Sequence, residues 1–241
     1  MINYLILASG KGERFKNAGF TTIKPLIELN GKRLLQHVLD NYGLSPTDVC
    51  LALPEPILHE QSSAGIDLRF KSVFFVSDTD GPMTSLSQVL SFNFFKGGPL
   101  VVLDCDCWLN RPTLERDIRE VFDNTRAGAF VYRAKYSGNY SHFTCPMTNA
   151  GQFIGFEHPT NPEFVNPGCY VFRNASVAKT LIRNLGVYDG EPTIPRLLAH
   201  PTNAPHVHVV DTDASFTSVG TPEEYEEYNV SANNDTDQRS N

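Results

Sequence analysis

Met1-Ile2-Asn3-Tyr4-Leu5-Ile6-Leu7-Ala8-Ser9-Gly10-Lys11-Gly12-Glu13-Arg14-Phe15 opens the chain. The apolar run from Tyr4 to Ala8 is short and unbroken, which is the pattern of a strand buried on both faces. It is too short to span a membrane and lacks the basic leader of a secretory signal. Gly10 and Gly12 follow at once. Glycine admits backbone conformations closed to other residues, and successive amide N–H groups in such a turn make a nest for an anion. Arg14 adds a planar, permanent cation that suits phosphate oxygens. Two familiar glycine motifs do not fit. The dinucleotide fingerprint needs glycine at position 15, where Phe15 stands, and the P-loop pattern is absent. By itself the segment describes a plain strand-to-helix turn equally well.

Outward from this loop, short apolar runs alternate with amphipathic segments. Lys32 to Tyr42 carries Leu34, Leu35, Val38 and Leu39 at helical spacing. Val49 to Leu53 and Ser72 to Val76 read as strands, Thr84 to Phe95 as a helix, and Leu100 to Leu103 as a buried strand. Pro112 to Phe122 reads as a helix with proline in its first turn. This alternation predicts an α/β fold: three layers, α/β/α, around a mixed, mostly parallel central sheet. In the second half, Ala129 to Arg133, Phe143 to Met147, Gln152 to Phe156, Cys169 to Phe172 and Val207 to Val210 read as strands. Val177 to Leu185 and Pro222 to Tyr228 read as helices. These strands are expected to extend the same sheet with antiparallel pieces. Residues 1–228 are expected to form one domain, and the polar residues 229–241 a disordered tail.

The run Leu100 to Leu103 ends in Asp104-Cys105-Asp106. Two carboxylates thus stand at the carboxyl end of a buried strand, where ligands sit in open α/β sheets. Carboxylates so close repel unless a cation joins them. Mg²⁺ is a hard ion suited to one or two carboxylates plus phosphate oxygens, so Asp104 and Asp106 are candidate Mg²⁺ ligands. The plain alternative for either is a capping or turn aspartate.

The formal net charge is −7 and no basic stripe is visible, so nucleic acid is not an expected partner. No membrane partner is expected either, and oligomer formation is left open. The five cysteines are odd in number and form no paired framework, which points to reduced thiols in the cytoplasm. Cys105 and Cys107 lack the second pair that a zinc site needs.

The downstream sequence narrows the reading of the glycine loop. Lys24-Pro25-Leu26 follows it, then Gly31-Lys32-Arg33-Leu34 before the first helix. In order and spacing, Leu7 to Phe15 with these two segments resembles the sugar-phosphate nucleotidyltransferase family, which has a GT-A-like nucleotide-binding fold. The resemblance implies that Leu7, Ala8, Ser9, Gly10, Lys11, Gly12 and Arg14 bind the nucleoside triphosphate. It implies that Lys24 places a second cation near the α-phosphate or the incoming phosphate. It puts the family's strand-end aspartate at Asp106, with Asp104 as an extra. Asp80 to Ser85 resembles the family's turn beneath base and ribose, with Gly81 and Ser85 matching and Pro82 departing. Glu157-His158-Pro159 and Asn166 to Phe172 resemble its acceptor-side motifs, which makes Glu157, His158 and Asn166 candidate acceptor-binding residues. His158 stands where the family has lysine. Ser218-Val219-Gly220-Thr221-Pro222 resembles a segment whose first residue is normally a metal-binding aspartate. Asp211, Asp213 or Asp104 are the candidates to replace it.

The activity so implied is attack by an acceptor phosphate, such as that of a sugar 1-phosphate, on the α-phosphorus of a nucleoside triphosphate, with release of pyrophosphate. It implies Mg²⁺ dependence, with Arg14, Lys24 and Asp106 as the catalytic set. A phosphate nucleophile is already ionised, so no general base is assigned. Two other readings stand beside it. A GT-A glycosyltransferase using a nucleotide sugar would fit Asp104-Cys105-Asp106. A non-catalytic nucleotide-binding regulator would fit Ser218 and His158.

Overall fold

The structure is a computed structural model, and it describes residues 1–55, 69–77, 80–110, 113–136, 138, 143–160, 162–186 and 192–238. The expected first strand is β1, Asn3–Leu7, buried at every position. It lies between β4, Val49–Pro54, and β6, Leu100–Asp104, and runs parallel to both. β5, Ser72–Val76, continues the sheet beyond β4, also parallel. On the other side, β12, Cys169–Phe172, pairs antiparallel with β6 and with β8, Ala129–Lys135. The two-residue β11, Phe164–Val165, is antiparallel to β8. β13, Val207–Thr212, pairs with β8 in parallel, so the sheet is mixed, as expected.

Alternation along β1 builds the layers. Tyr4 and Ile6 enter a core on one face, while Leu5 and Leu7 enter a second core on the other. α2, Leu34–Tyr42, buries Leu34, Leu35, Val38 and Leu39 in the first core. α3, Pro82–Ser91, and α5, Ala175–Leu185, bury Leu86, Val89 and Leu181 in the second. α4, Leu114–Asn124, has the apolar stripe expected of a surface helix. It starts two residues later than its sequence suggested, and Pro112 lies outside the described residues. α1, Glu13–Asn17, is a single short turn anchored by the buried Phe15.

Three features depart from the sequence reading. β9, Cys145–Asn149, and β10, Gln152–Glu157, form a hairpin sheet of their own. A register shift between Phe153 and Gly155 interrupts their pairing. α6, Ile194–Ala199, is a short helix with proline in its first turn, unforeseen because six residues carry little periodicity. The last helix, α7, runs Pro222–Gln238, ten residues past Tyr228, where its sequence pattern ends. Local strands β2, Glu28–Leu29, and β3, Lys32–Arg33, precede α2. β7, Cys107–Leu109, pairs with β14, Phe216–Ser218, beside the end of β6. No helix among the described residues is long and apolar enough to cross a membrane.

Candidate active site

The site lies at the carboxyl ends of β1 and β6, where register puts Leu7 opposite Asp104. The chain leaves β1 toward β4 on one side and returns to β6 on the other, so a crevice opens between them. A cavity of about 530 Å³ occupies it. Leu7, Ser9, Gly10 and Lys11 form one wall, Gly81 and Ser85 the other, and Asp104 and Asp106 the floor. A second cavity of about 220 Å³ shares that floor and is lined by Arg14, Lys24 and Asn166.

The glycine loop is held open by specific contacts. Gly12 has φ +63°, in the left-handed region, and caps α1. The Ser9 hydroxyl donates to Ser85 Oγ at 2.7 Å, tying the loop to the start of α3. Gly81 packs so close to the backbone that a Cβ there would lie 2.9 Å from the Pro192 carbonyl oxygen. The Met83 N–H donates to that same oxygen at 2.9 Å. Ala8 is buried, and its N–H donates to Ala52 O at 2.9 Å, so it anchors the loop from beneath. Arg14 belongs to the second cavity, alongside Lys24, and not to the wall formed by the glycines.

Lys24 begins a short 3-10 turn with Pro25 and Leu26. Its ammonium pairs with Asp106 Oδ2 and donates to the Gly220 carbonyl at 2.8 Å. The Phe15 ring centroid is 5.1 Å from the same nitrogen. Burial works against the charge on both partners, but each outweighs it for the other. The Lys24 ammonium is held above its usual range and the Asp106 carboxyl below its own. Among the described residues Asp104 has no such partner. Burial, with the charge of Asp106 beside it, pushes its carboxyl up to about 8, against the pull of Lys24 and a Tyr170 hydrogen bond. With both carboxylates ionised, their charge would exceed the single positive charge of Lys24. The donors of this pair are hard oxygens, and it fits a small divalent ion that also takes phosphate oxygens. Among the described residues no group of three or more His, Cys, Asp or Glu forms a self-sufficient metal cage.

Ser218 does not add a carboxylate, and of the three candidates to replace it Asp104 lies at the floor of the crevice while Asp211 and Asp213 do not. The Ser218 hydroxyl donates to Glu224 Oε2 at 3.1 Å. That oxygen also accepts from the Thr221 N–H at 3.0 Å, and the Glu224 N–H donates to Thr221 Oγ1 at 3.3 Å. This is a capping box at the start of α7, and it fixes the turn that presents Gly220. Asp211 takes two hydrogen bonds from Arg133, at 2.6 and 2.9 Å. Asp213 is 3.7 Å from Lys135. Both are thus engaged on β8 rather than at the floor of the crevice.

Of the acceptor-side candidates, Asn166 is brought to the site. It is buried, its Oδ1 accepts from the Gly168 N–H at 2.9 Å, and its Nδ2 has no partner among the described residues. Glu157 and His158 are exposed and line neither cavity. Glu157 ends β10 and His158 follows it; the buried Phe153 of that strand binds the hairpin to the second core, while its polar end is in solvent. Gly168 was not singled out from sequence, yet it decides the packing. Its φ is +67°, and a Cβ would stand 2.5 Å from Cys107 Sγ and 2.6 Å from Asp104 Oδ2. Its carbonyl accepts from the Asp104 N–H at 2.9 Å. A glycine just before a buried strand was the available signal. Tyr170, Cys107 and Gly220 likewise line the second cavity without having been foreseen.

The profile of the MobA-like NTP transferase domain matches residues 4–185, which contain the glycine loop, Lys24, both aspartates and Asn166. The chain belongs to that family. Among curated relatives of this NTP transferase domain, the mannose-1-phosphate guanyltransferases of Neurospora crassa and Hypocrea jecorina are each 22% identical over 242 residues. Each match covers 92% of this chain, and the chain spans about 61% of the length of those relatives. Among solved structures, the nucleoside-diphosphate-sugar pyrophosphorylase of Vibrio cholerae RC9 superposes with a TM-score of 0.67 at 16% identity, covering 94% of this chain and 99% of that one. The inositol-1-phosphate CTP transferase of T. maritima does so with a TM-score of 0.69 at 15% identity, covering 94% of each. At such identities the likeness shows the fold: the NTP transferase domain is built as those proteins are.

Proposed function

We propose that this domain transfers a nucleoside monophosphate from a nucleoside triphosphate to a phosphorylated small molecule of the sugar 1-phosphate class, releasing pyrophosphate. One observation carries the reading. Two cavities meet at Asp104 and Asp106, one walled by the glycine loop and the other by Arg14, Lys24 and Asn166. That arrangement suits two anionic substrates approaching one point from opposite sides.

Such transfer depends on alignment and charge neutralisation more than on a proton-moving residue. The backbone amides from Ser9 to Gly12, with Lys11, hold the triphosphate, while Gly81 and Ser85 shape the opposite wall beneath the nucleoside. Arg14 and Lys24 neutralise the acceptor phosphate and the charge that grows at the reacting phosphorus. Asn166 Nδ2 offers the acceptor a hydrogen bond that no described residue uses. Asp104 and Asp106 would hold Mg²⁺, which when bound neutralises phosphate oxygens and orients them. The five free thiols suit a cytoplasmic, reducing setting.

The test is a pyrophosphate-release screen of the common nucleoside triphosphates against sugar 1-phosphates, phosphocholine and other phosphorylated metabolites. Mg²⁺-dependent release with at least one pairing is expected. Asp106→Ala should reduce it by roughly 10²-fold or more. Turnover of a nucleotide sugar without pyrophosphate would assign the domain to glycosyl transfer, and nucleotide binding with no turnover would make it a regulator.

A further inference from the structure

Lys24 is held in three ways that differ in kind. Its ammonium pairs with Asp106 Oδ2, donates to the Gly220 carbonyl at 2.8 Å and sits 5.1 Å from the Phe15 ring centroid. The carbonyl and the ring face are contacts for which a metal ion on Asp106 would not compete. Asp106 alone has a competing use, because it is one of the two carboxylates that suit a divalent ion. An oxygen in contact with an ammonium is a poorer metal ligand, and two cations on one carboxylate repel each other.

Charge balance gives the direction of the conflict. Asp104 and Asp106 carry up to two negative charges, and Lys24 offsets one. A divalent ion on both carboxylates would offset both, leaving the charge of Lys24 without a carboxylate to answer it. Lys24 contacts Asp106, which lines both cavities, so its ammonium stands where the expected triphosphate meets the acceptor phosphate. We propose that Lys24 is a resident counter-ion that neutralises Asp106 in the empty site and yields its charge to a phosphate oxygen when metal and triphosphate arrive together. This rests on the Mg²⁺ and triphosphate assignments above and adds a function for the resting pair. Lys24 opposes metal binding alone and favours metal with phosphate. Removing it shifts the two affinities in opposite directions, whereas a purely structural lysine would weaken both or neither.

The experiment titrates Mn²⁺ into the full chain, the K24M variant and the K24Q variant, with free Mn²⁺ read by electron paramagnetic resonance. Tripolyphosphate is then titrated at saturating Mn²⁺. K24Q keeps a donor for the Gly220 carbonyl, so it carries the test where K24M fails to fold, and circular dichroism reports folding. Both folded variants should bind Mn²⁺ about tenfold more tightly than the parent and tripolyphosphate about tenfold more weakly. Adding D106N to K24Q should cancel the gain in Mn²⁺ affinity. Mn²⁺ binding in the folded variants that is equal to or weaker than in the parent overturns the counter-ion role, even if the parent releases pyrophosphate from a nucleoside triphosphate. Absence of Mn²⁺ binding in every protein, together with no pyrophosphate release, overturns the proposed function as well.

Discussion

Ser9 and Ser85, 76 positions apart in sequence, share a buried 2.7 Å hydrogen bond between their side chains. Through it the loop after β1 is tied to the helix α3, which joins the two walls of the larger cavity. The Ser9→Ala variant should lose about 1 kcal/mol of stability, the net worth of an ordinary hydrogen bond. Its KM for the triphosphate should rise several-fold while its KM for the acceptor stays unchanged. Ser9→Ala/Ser85→Ala should cost less than the sum of the single changes, because the pair is lost once. Denaturant unfolding and initial-rate kinetics check both points, and equal effects on the two substrates would refute the assignment of the larger cavity to the donor.

Gly168 predicts a sharper effect. Gly168→Ala forces a side chain into the left-handed region and against Asp104 Oδ2 and Cys107 Sγ. Strain and overpacking together should cost roughly 2–4 kcal/mol. Because the displaced atoms include Asp104, activity should fall even in molecules that remain folded. Thermal unfolding and turnover per folded molecule separate the two losses. A variant with full activity and stability would show that this contact relaxes freely.

Asn166→Asp isolates the unpartnered amide. The new carboxylate keeps an acceptor for the Gly168 N–H but replaces the free donor of Nδ2 with negative charge. An anionic acceptor should then bind about tenfold or more weakly, with its KM raised and the triphosphate KM unchanged. Unchanged kinetics would place the acceptor elsewhere.

Cys50 gives a prediction in pH. Burial pushes its thiol up to about 11 from an ordinary 9.0, with Lys71 pulling weakly the other way. The folded-state value is raised, so the stability attached to the neutral thiol is complete below pH 9 and is lost as pH rises toward 11. The limiting slope is ~1.4 kcal/mol per pH unit for one proton. Urea midpoints measured across this window should fall, and fall less steeply in Cys50→Ala. An identical slope in that variant would assign the alkaline loss to other groups.

Much of the fold was legible because a few segments state their environment locally. Tyr4 to Ala8 and Leu100 to Leu103 could only be doubly buried strands, and α2 shows helical spacing in Leu34, Leu35, Val38 and Leu39. The glycine loop, Lys24, Asp104 and Asp106 were legible together, through their order along the chain. What escaped depends on contacts distant in sequence. Pro192, whose carbonyl crowds Gly81, has no local signal, and neither does the choice of Arg14 for the smaller cavity. Glu157 and His158 matched a pattern, but the path of the β9–β10 hairpin leaves them in solvent. Asp211 and Asp213 were near enough in sequence to serve the metal, yet strand pairing with β8 turns them toward Arg133 and Lys135.

The turn at Gly220 has a bearing on modularity. The family profile stops at residue 185, so the span held in common already contains every cation and carboxylate of the site. The carbonyl that seats Lys24 lies 35 residues past that limit, in a turn braced by Thr221 and Glu224. A protein trimmed to the shared span would keep its chemistry on paper and lose the seat that aims it. The C-terminal stretch is therefore part of the site's frame, and a tether, a fusion or an antibody that strained α7 would reach Lys24 through this turn.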